Sequence, residues 1–501
     1  MRKKVYWKNR HGYLWRAMLI LITLCFTSCK DDDDQAAGAG VFDPNKPVTI
    51  TGFTPESLGG GEDIVLYGNN FGNDISKIKV SLGGKNATVI GVNNHSIYCF
   101  MPMGAFDGDI QVSILDDDGE VIAIAEPEKK YTYKRQWLVS NCVGTYYNVG
   151  SDYEEKEGPF GDCGAFKDIL WFSWDPKSNF DRLYFTGNYN RCRLIDFSVD
   201  NGPDKEKGYV YYFTSADQFD RVSVMTWTID ENQDMILTHN HSSDSKIGNY
   251  LFTRSSNFTE QTPLGIYARG VNGTMVHPET NELYYTRYRG GDMYKYNFDT
   301  QETTFVFAFA YATEAYRLVI HPTGKYAYII GNERDFILRT DYNYVTNTFT
   351  TPYTVVGQAN SPGYQDGVGS FVRVNAPSQG VFVKNKDYIG TRPDGDEYDF
   401  YFCDADNHCI RILTPDGKVS TFAGRGNGKT SGYQNGEVRT DALFNYPRAI
   451  AYDEKRNCFY VGDTNNWIIR KIAQENEDDY DDISDDEEDN NTEEAALEKE
   501  N

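Results

Sequence analysis

Short runs of alternating apolar and polar residues mark the first folded segment. Residues 47–133 begin PVTITGFTPESLGGGEDIVLYGNNFG, in which Val48, Ile50 and Phe53 mark one strand and Ile64 starts the next. A two-residue period places alternate side chains on opposite faces of a strand, and turn residues follow each run. Later segments such as KIKVSLG and GDIQVSILDDDGEVI continue the pattern. This segment is predicted to form a small sandwich of six or seven strands.

A second pattern repeats through the rest of the chain. DFYFCDADNHCIRIL (399–413) and CFYVGDTNNWIIRKI (458–472) share one shape, in which a polar turn joins two apolar strands. RLYFTGNYNRCRLID (182–196) has the same shape, and three fainter copies lie between. Six strand-only copies at intervals near 50 residues predict a six-bladed β-propeller. Equivalent positions are Leu183, Met235, Leu283, Ala327, Phe400 and Phe459.

The two ends of the repeat region are expected to meet. The last copy stops at Ile472 without a fourth strand before an acidic tail. QWLVSNCVG (136–144) resembles VSTFAG (419–424), which ends another copy. We therefore predict that residues 136–143 form the outer strand of the last blade and close the ring.

The N-terminus is predicted to carry an export signal. The first sixteen residues include six basic residues and no acidic one, and AMLILITLCFTS (17–28) follows. This apolar run is shorter than the roughly 20 residues that span a bilayer, and it fits the short apolar region of a signal peptide. Cys29 comes directly after it, and KDDDD (30–34) follows.

Composition narrows the classes of function. The chain has 501 residues and a net charge of −25, and residues 475–501 hold 15 acidic residues and one lysine. A nucleic-acid partner is not predicted, because such proteins need a basic face. The tail has few apolar residues and is predicted to be disordered. Apart from Cys25 and Cys29, seven cysteines remain without C-x-x-C spacing, which leaves disulfide pairing open.

Several motifs resemble known families. The 47–133 segment resembles a TIG/IPT immunoglobulin-like domain, and the last two copies of the repeat resemble NHL-repeat propeller blades. Thr27, Ser28 and Cys29 resemble a bacterial lipobox, and the KDDDD run is similar to the export signal of surface lipoproteins in Gram-negative glycan-foraging gut bacteria. The TIG/IPT resemblance rests on Ile50, Phe53, Pro55, Gly60, Gly61, Ile64, Leu66, Gly68, Asn70 and Phe71.

These patterns give an all-β protein, a small immunoglobulin-like sandwich followed by a six-bladed β-propeller. The predicted divisions are a lipoprotein signal peptide at 1–28, a flexible linker at 29–46, the TIG/IPT domain at 47–133, an NHL-type propeller at 134–474 and an acidic tail at 475–501. The resemblances imply lipidation at Cys29 and a lipid-anchored place on the outer membrane, exposed on the cell surface.

In a propeller whose blades have strands a to d, the d–a and b–c loops share one face, here named the loop face. The a–b and c–d turns share the other, here named the turn face. His241, Arg269 and other Tyr and Arg side chains are expected on the loop face. Aromatic rings stack on sugar rings, and arginine binds hydroxyl or carboxylate groups. The predicted ligand-binding residues are Tyr147, Tyr288, Arg317, Arg448 and Trp467.

Other candidate chemistry has a structural interpretation. His239 and His241 could chelate a metal, but no third ligand is identified, so a polar b–c turn is the favoured interpretation. Asp404 and Asp463 occupy the position at which the NHL pattern implies a carboxylate that holds the b–c turn. Cys163 could suggest a nucleophile, but no histidine lies near it in sequence, so it is interpreted as a loop or disulfide cysteine. No catalytic residue, metal site or cofactor is predicted.

The favoured hypothesis is a non-catalytic surface protein that binds an oligo- or polysaccharide, with acidic glycans included. It would act with an outer-membrane glycan importer, as the resemblance implies. A propeller-based polysaccharide lyase or hydrolase is one alternative, and a protein-interaction scaffold is another. An exposed aromatic track would favour a sugar ligand. A charge-rich axial pocket would favour an enzyme, and a broad apolar patch would favour a protein partner.

The lipidation hypothesis predicts the behaviour of a single substitution. Cys29→Ala should abolish metabolic labelling with palmitate, because the modified thiol is lost, and should release the protein from the membrane fraction. Membrane-bound, palmitate-labelled Cys29→Ala protein would refute lipidation at this residue. Antibody staining of intact cells tests surface exposure separately.

Overall fold

A computed structural model describes residues 40–146, 155–187, 192–202, 207–219, 221–425, 429–476 and 479. The chain divides into two compact units between Lys134 and Arg135. In the described ranges, no helix has the length and apolar character needed to cross a membrane. Short 3-10 helices lie at Ile75–Lys77, Phe160–Asp162, Thr214–Ala216, Arg254–Ser256, Asn332–Arg334, Lys386–Tyr388, Ala405–Asn407 and Thr464–Asn466.

The first unit is the predicted immunoglobulin-like sandwich. Its hydrogen-bonded strands follow the order β1-β3-β6-β5-β4-β7-β8, and β2 pairs with β9 in parallel. The strands are β1 (Thr49–Thr54), β2 (Ser57–Leu58), β3 (Asp63–Asn69), β4 (Ile78–Leu82), β5 (Lys85–Asn93), β6 (Ser96–Phe100), β7 (Ile110–Leu115), β8 (Val121–Ala125) and β9 (Thr132–Tyr133).

Asn70 shows why the turn after β3 has its sequence. Its backbone is left-handed, with φ 66°, a conformation that asparagine adopts more readily than most residues. Its side-chain amide donates to the carbonyls of Asp43 (2.9 Å) and Lys46 (2.8 Å) and accepts from the Asp43 amide (2.8 Å). The turn thus fixes the segment that enters the domain, while Phe71 beside it fills the core.

The second unit is a six-bladed propeller of antiparallel four-stranded sheets, which confirms the predicted architecture. The a strands of neighbouring blades contact one another and line the axis. They are β12 (Trp171–Trp174), β16 (Val222–Trp227), β20 (Val271–Val276), β24 (Tyr316–Ile320), β30 (Pro377–Lys384) and β35 (Pro447–Asp453). The b strands, which hold all six equivalent positions of the repeat, are β13 (Arg182–Thr186), β17 (Met235–His239), β21 (Leu283–Arg287), β25 (Tyr326–Gly331), β31 (Tyr398–Asp404) and β36 (Cys458–Asp463).

The outer strands complete each blade. The c strands are β14 (Arg193–Asp196), β18 (Asn249–Phe252), β22 (Asp292–Tyr296), β26 (Phe336–Asn343), β32 (Cys409–Leu413) and β37 (Ile468–Gln474). The d strands are β15 (Tyr209–Tyr212), β19 (Gln261–Pro263), β23 (Thr303–Ala308), β28 (Tyr353–Gly357), β33 (Lys418–Ala423) and, in the sixth blade, β10 (Trp137–Val143). Four two-residue strands add to blade edges: β11 (Gly158–Pro159), β27 (Thr348–Phe349), β29 (Gly367–Val368) and β34 (Gly436–Glu437).

The ring closes as predicted. β10, which precedes the first blade in the chain, pairs antiparallel with β37 at the C-terminal end of the propeller. Val139 lies opposite Ile472 and Ser140 opposite Lys471. Val139 and Ile472 are buried in one core cluster with Phe459, so the closure is both hydrogen-bonded and packed.

The long d–a insertions take a course that the sequence pattern does not predict. Because insertions in d–a loops all belong to one face of a propeller, they are predicted to rise together on the loop face. Instead, each sends a two-residue strand to the outer edge of the following blade. β11 pairs with β15, β29 with β33 and β34 with β10. Open sheet edges attract further strands, so the insertions cover the edges of blades 1, 5 and 6.

The axis is filled by side chains in its middle. The Gln379 side chain on β30 accepts from the Phe172 amide (2.7 Å) and the Ile450 amide (3.3 Å) and donates to the Phe172 carbonyl (2.8 Å). These bonds join the a strands of blades 5, 1 and 6. An amide buried this deeply is stable because its polar atoms have partners.

Closure of the ring predicts a sharp contrast between two adjacent positions. Val139→Asp should lower the free energy of unfolding by about 3 kcal/mol or more, because it removes apolar burial and places a charge in the core. Ser140→Asp, on the exposed face of the same strand, is the matched control and should change it by less than about 0.5 kcal/mol. Urea denaturation measures both. Equal effects would show that β10 does not carry the closure.

Candidate ligand-binding site

A cavity of about 730 Å³ opens on the loop face between blades 2, 3 and 4. Its walls come from d–a loops, b–c loops and the first residues of a strands. Most of the lining side chains can donate or accept hydrogen bonds, which suits a hydroxyl-rich ligand. The lining residues are Arg221, Asn240, His241, Ser242, Arg269, Gly270, Asn272, Tyr288, Ala315 and Glu333.

A hydrogen-bond network fixes the floor of the cavity. Asn240 donates to Asn272 Oδ1 (2.7 Å) and to Ser223 Oγ (3.0 Å), and the Asn240 backbone amide donates to the Arg221 carbonyl (3.0 Å). Asn272 in turn donates to the Gly270 carbonyl (3.1 Å). These bonds join the b–c loop of blade 2 to strand a of blade 3, so the polar groups are held in place before a ligand arrives.

Gly270 determines where Tyr288 lies. The glycine has φ 65°, and a Cβ there would stand 2.7 Å from the Cβ of Tyr288. The Tyr288 amide donates to the Gly270 carbonyl (2.8 Å), and the Gly270 amide donates to the His241 carbonyl (3.0 Å). Close packing against a residue without a side chain therefore positions the half-buried tyrosine ring at the cavity wall.

The histidine pair serves the b–c loop of blade 2. His241 Nδ1 accepts from the Ser243 amide (3.2 Å), and its Nε2 lies 3.1 Å from the Ile247 carbonyl. A neutral ring with its proton on Nε2 satisfies both contacts. The ring of His239 packs against those of Phe219 and His241. Because both nitrogens of His241 are engaged inside its own loop, the turn interpretation fits this geometry.

Acidic residues occupy the blade 4 side of the cavity. Tyr288 Oη lies 3.5 Å from Glu333 Oε2, and this negative charge raises the pKa of Tyr288. Glu314 is fully buried behind Glu333 and accepts its backbone amide (2.8 Å). Burial raises the pKa of Glu314 to about 7, although Arg334 Nε lies 3.7 Å from its second oxygen.

Asp404 holds a turn and a loop in blade 5. Its carboxylate accepts from the Asn375 amide (2.7 Å), from Asn407 Nδ2 (2.8 Å) and from Arg411 Nη1 (2.7 Å). Arg411 also donates to the Gln365 carbonyl (3.1 Å) in the GYQDG segment. Both charged side chains are completely buried. This aspartate is a structural residue that ties the d–a insertion to the blade.

Blade 6 repeats the arrangement with the same residue types. Asp463 accepts from the Asn445 amide (2.7 Å), from Asn466 Nδ2 (2.7 Å) and from Arg470 Nη1 (3.1 Å). Arg470 donates to the Gln434 carbonyl (2.8 Å) in the GYQNG segment. The repeated GYQ segments are therefore the targets of two buried arginines. We name these two arrangements the Asp–Arg clamps.

Of the predicted ligand-binding residues, Tyr288 lines the cavity. Arg317 and Arg448 lie within the first residues of β24 and β35 rather than before them. Trp467 has φ 57° at the b–c turn of blade 6, and Lys167 Nζ stands 5.5 Å from its ring centre. Tyr147 lies outside the described residues, as does Cys29.

Sequence reasoning left most of the cavity wall unassigned. The sequence pattern predicts that Arg269 and His241 lie on the loop face but does not mark them as ligand-binding residues. It gives no prediction for Arg221, Asn272 and Glu333. An arginine near the start of an a strand is a signal that the sequence does contain. Arg221 comes directly before β16 and Arg269 two residues before β20, close to the positions of Arg317 and Arg448 in their blades. The Glu333 position had no such signal.

One assumed equivalence is wrong. We expected Phe371 to match Phe166 and Phe444, but the left-handed residues Ala376 and Tyr446 align the two loops differently. Val374 then corresponds to Phe444, and both are fully buried. Phe371 is 75% exposed instead.

The fold and this site define a two-domain all-β protein with an IPT/TIG domain and a six-bladed propeller that carries a polar cavity on one face. The IPT/TIG domain model matches residues 47–133. No curated protein matches the chain. An auxiliary nutrient binding protein from Bacteroides thetaiotaomicron is 45% identical, with 87% of this chain and 100% of that chain covered and a TM-score of 0.73.

Two further solved structures are similar over the same length. An auxiliary nutrient binding protein from Bacteroides ovatus is 41% identical, covers 87% of this chain and 100% of its own, and gives a TM-score of 0.67. A Bacteroides thetaiotaomicron protein with a provisional phosphatase name is 31% identical, with 87% and 99% coverage and a TM-score of 0.75. The chain belongs to the family of these Bacteroides auxiliary nutrient binding proteins.

The buried Glu314 predicts a pH dependence of stability. Its folded-state pKa of about 7 exceeds its ordinary value of 4.5, so between these values the folded state binds more protons than the unfolded state. The contribution of Glu314 to stability is thus greatest below pH 4.5 and is lost as the pH rises through 7, by roughly 3 kcal/mol in all.

Glu314→Gln should remove this dependence, because glutamine stays neutral and its oxygen can still accept the Glu333 amide. Urea denaturation of both proteins at pH 5, 6, 7 and 8 measures the difference. The exposed Glu302→Gln is the matched control and should follow the parent. A parent curve and a Glu314→Gln curve that stay parallel across this range would contradict the raised pKa.

Proposed function

We propose that this protein is a cell-surface lipoprotein whose propeller binds an oligo- or polysaccharide for an outer-membrane uptake system. The observation that carries the proposal is the preorganised polar cavity on the loop face, with Tyr288 at its wall. Two relatives, 45% and 41% identical, are named auxiliary nutrient binding proteins, and these names support a nutrient as the ligand class. The export signal and Cys29 support the location.

The cavity chemistry suits a sugar better than a protein surface. Asn240, Asn272 and Ser242 offer amide and hydroxyl groups, and Arg221 and Arg269 add guanidinium donors. Such groups bond ring hydroxyls, while the flat face of a tyrosine packs against the C–H side of a sugar ring. Protein-binding patches are broader and have a more apolar centre, so the scaffold alternative is less well supported.

A binding role would be non-catalytic, with the chain delivering its ligand to an importer. One relative has a phosphatase name, so an enzymatic function should be tested directly. The mature protein should be incubated with each bound glycan and with phosphorylated sugars. Steady release of phosphate, of unsaturated products or of new reducing ends would replace the binding proposal with an enzymatic one.

Tyr288→Ala tests the binding site itself. A glycan array with the mature protein first identifies a bound oligosaccharide, and calorimetry then measures its affinity. Loss of one stacking ring should weaken binding about threefold to tenfold, by analogy with aromatic pairs worth about 0.5–1.5 kcal/mol.

Tyr344→Ala is the matched control, because Tyr344 is 52% exposed and follows β26 in a c–d turn on the turn face. It should bind like the parent. If Tyr288→Ala folds and also binds like the parent, the ligand does not use this cavity.

A further inference from the structure

We infer that Arg317 and Arg448 together form a binding site for an oxyanion, a carboxylate or sulfate group on the ligand. The inference rests on the proposed function for the identity of that ligand. The site itself is argued from the geometry and charge of the two arginines. The two arginines are not among the residues that line the cavity, so they would add a separate charged subsite.

The two arginines come from a strands that line the axis. Arg317 lies on β24 of blade 4 and Arg448 on β35 of blade 6, and Ser378 on β30 of blade 5 accepts a hydrogen bond from Arg317 Nη1. The guanidinium of Arg448 stands 5.6 Å from the ring centre of Tyr446. Both residues are near the loop-face ends of their strands, so the pair sits at that mouth of the axis.

Neither arginine has a counterion at contact distance. Among the described residues, no carboxylate forms an ion pair with Arg317 or Arg448, whereas the buried Arg411 and Arg470 each have one. Arg317 is only 7% exposed, and Arg448 Nε is buried without a hydrogen-bond partner in the described chain. Arg317 is buried and Arg448 is partly buried. Because buried charges in proteins are normally paired, we expect the pair to bind a partner from outside the chain.

The lowered pKa values of the two arginines are consistent with two cations that lack a counterion in contact. Burial, with repulsion from Arg448, lowers the pKa of Arg317 to about 9, and burial also lowers the pKa of Arg448. With a pKa of about 9, Arg317 remains cationic at neutral pH. Glu314, Asp168 and Asp406 act on them only at longer range and offset the repulsion in part.

An oxyanion fits this pair for a specific reason. Planar guanidinium groups donate two parallel hydrogen bonds to carboxylate, sulfate or phosphate oxygens, and one such group could be shared by two arginines. Ala315 lines the cavity and precedes Arg317 by two residues. A ligand in the cavity could thus extend an acidic substituent towards the axis. A uronic acid and a sulfated sugar share this chemistry.

Inorganic sulfate is the first probe, because it needs no sugar. Sodium sulfate at about 10 mM should raise the melting temperature of the mature protein more than sodium chloride at equal ionic strength, because an ion that binds the folded state stabilises it. Arg448→Met should abolish the difference and should not lower the melting temperature without sulfate, since it removes an unpaired buried charge. Arg425→Gln removes an exposed loop arginine and should keep the full sulfate effect.

A second pair of variants covers the case in which Arg448→Met does not fold. Arg317→Lys and Arg448→Lys keep the charge but lose the planar fork, and each should weaken sulfate binding at least about fivefold in a thermal titration. No sulfate-specific stabilisation of the parent, or lysine variants that bind sulfate like the parent, would overturn the inference.

A matched pair of sugars then separates the inference from the proposed function. The probes are a uronic acid trisaccharide and the same trisaccharide with its carboxyl groups reduced to alcohols. Arg448→Lys should weaken binding of the acidic form at least about fivefold and leave the neutral form unchanged. Equal loss for both forms would overturn the oxyanion role. If neither sugar nor any array glycan binds while sulfate still stabilises the parent, the anion site stands and the proposed glycan function fails.

Discussion

Pairing between the first and last strands of the propeller is the constraint on which the rest of the second unit depends. Six sheets stay in a ring only if the ends of the chain meet, and here β10 pairs with β37 over most of its length. The contact is apolar as well as hydrogen-bonded, because Val139 and Ile472 share a buried cluster. Once the ring is closed, the order of the blades is fixed. The cavity between blades 2, 3 and 4 then has walls from three sheets that cannot move apart independently.

Within that ring, buried polar groups determine where the loops lie. The Asp–Arg clamps of blades 5 and 6 use the same carboxylate to hold a b–c turn and, through the arginine, a d–a insertion. Removing one partner from such a pair leaves an uncompensated charge in the core, which is strongly destabilising. At the cavity, the loops of blades 2 and 3 are held by neutral contacts, the Asn240–Asn272 bond and the Gly270–Tyr288 packing. Their loops leave polar groups facing a cavity, whereas the clamped loops turn outwards to cover sheet edges.

The fold was largely predictable from sequence, because alternation within strands and recurrence of the strand–turn–strand shape are local properties. Closure by residues 136–143 was also predictable, since the last copy lacked a fourth strand. The cavity was not, because it joins residues such as Arg221, Asn272 and Glu333 that are far apart in the chain and belong to three blades. The d–a insertions of blades 5 and 6 are held by two arginines, which bond the Gln365 and Gln434 carbonyls and the side chains of Asp366 and Asn435. The fourth residue of each GYQDG or GYQNG segment is thus visible in the sequence, but the arginine that it meets lies in another strand. Phe371 was misaligned for a different reason: it lies six residues before Pro377, whereas Phe444 lies three residues before Pro447.

The central claim is that a nutrient sugar binds on the loop face between blades 2, 3 and 4. A crystal structure of the mature protein with an oligosaccharide taken from the glycan array tests it most directly. The account predicts electron density for a sugar ring beside Tyr288 and Asn240, with any acidic substituent directed towards Arg317 and Arg448. Density confined to the IPT/TIG domain, or to the turn face near Tyr344, would contradict it.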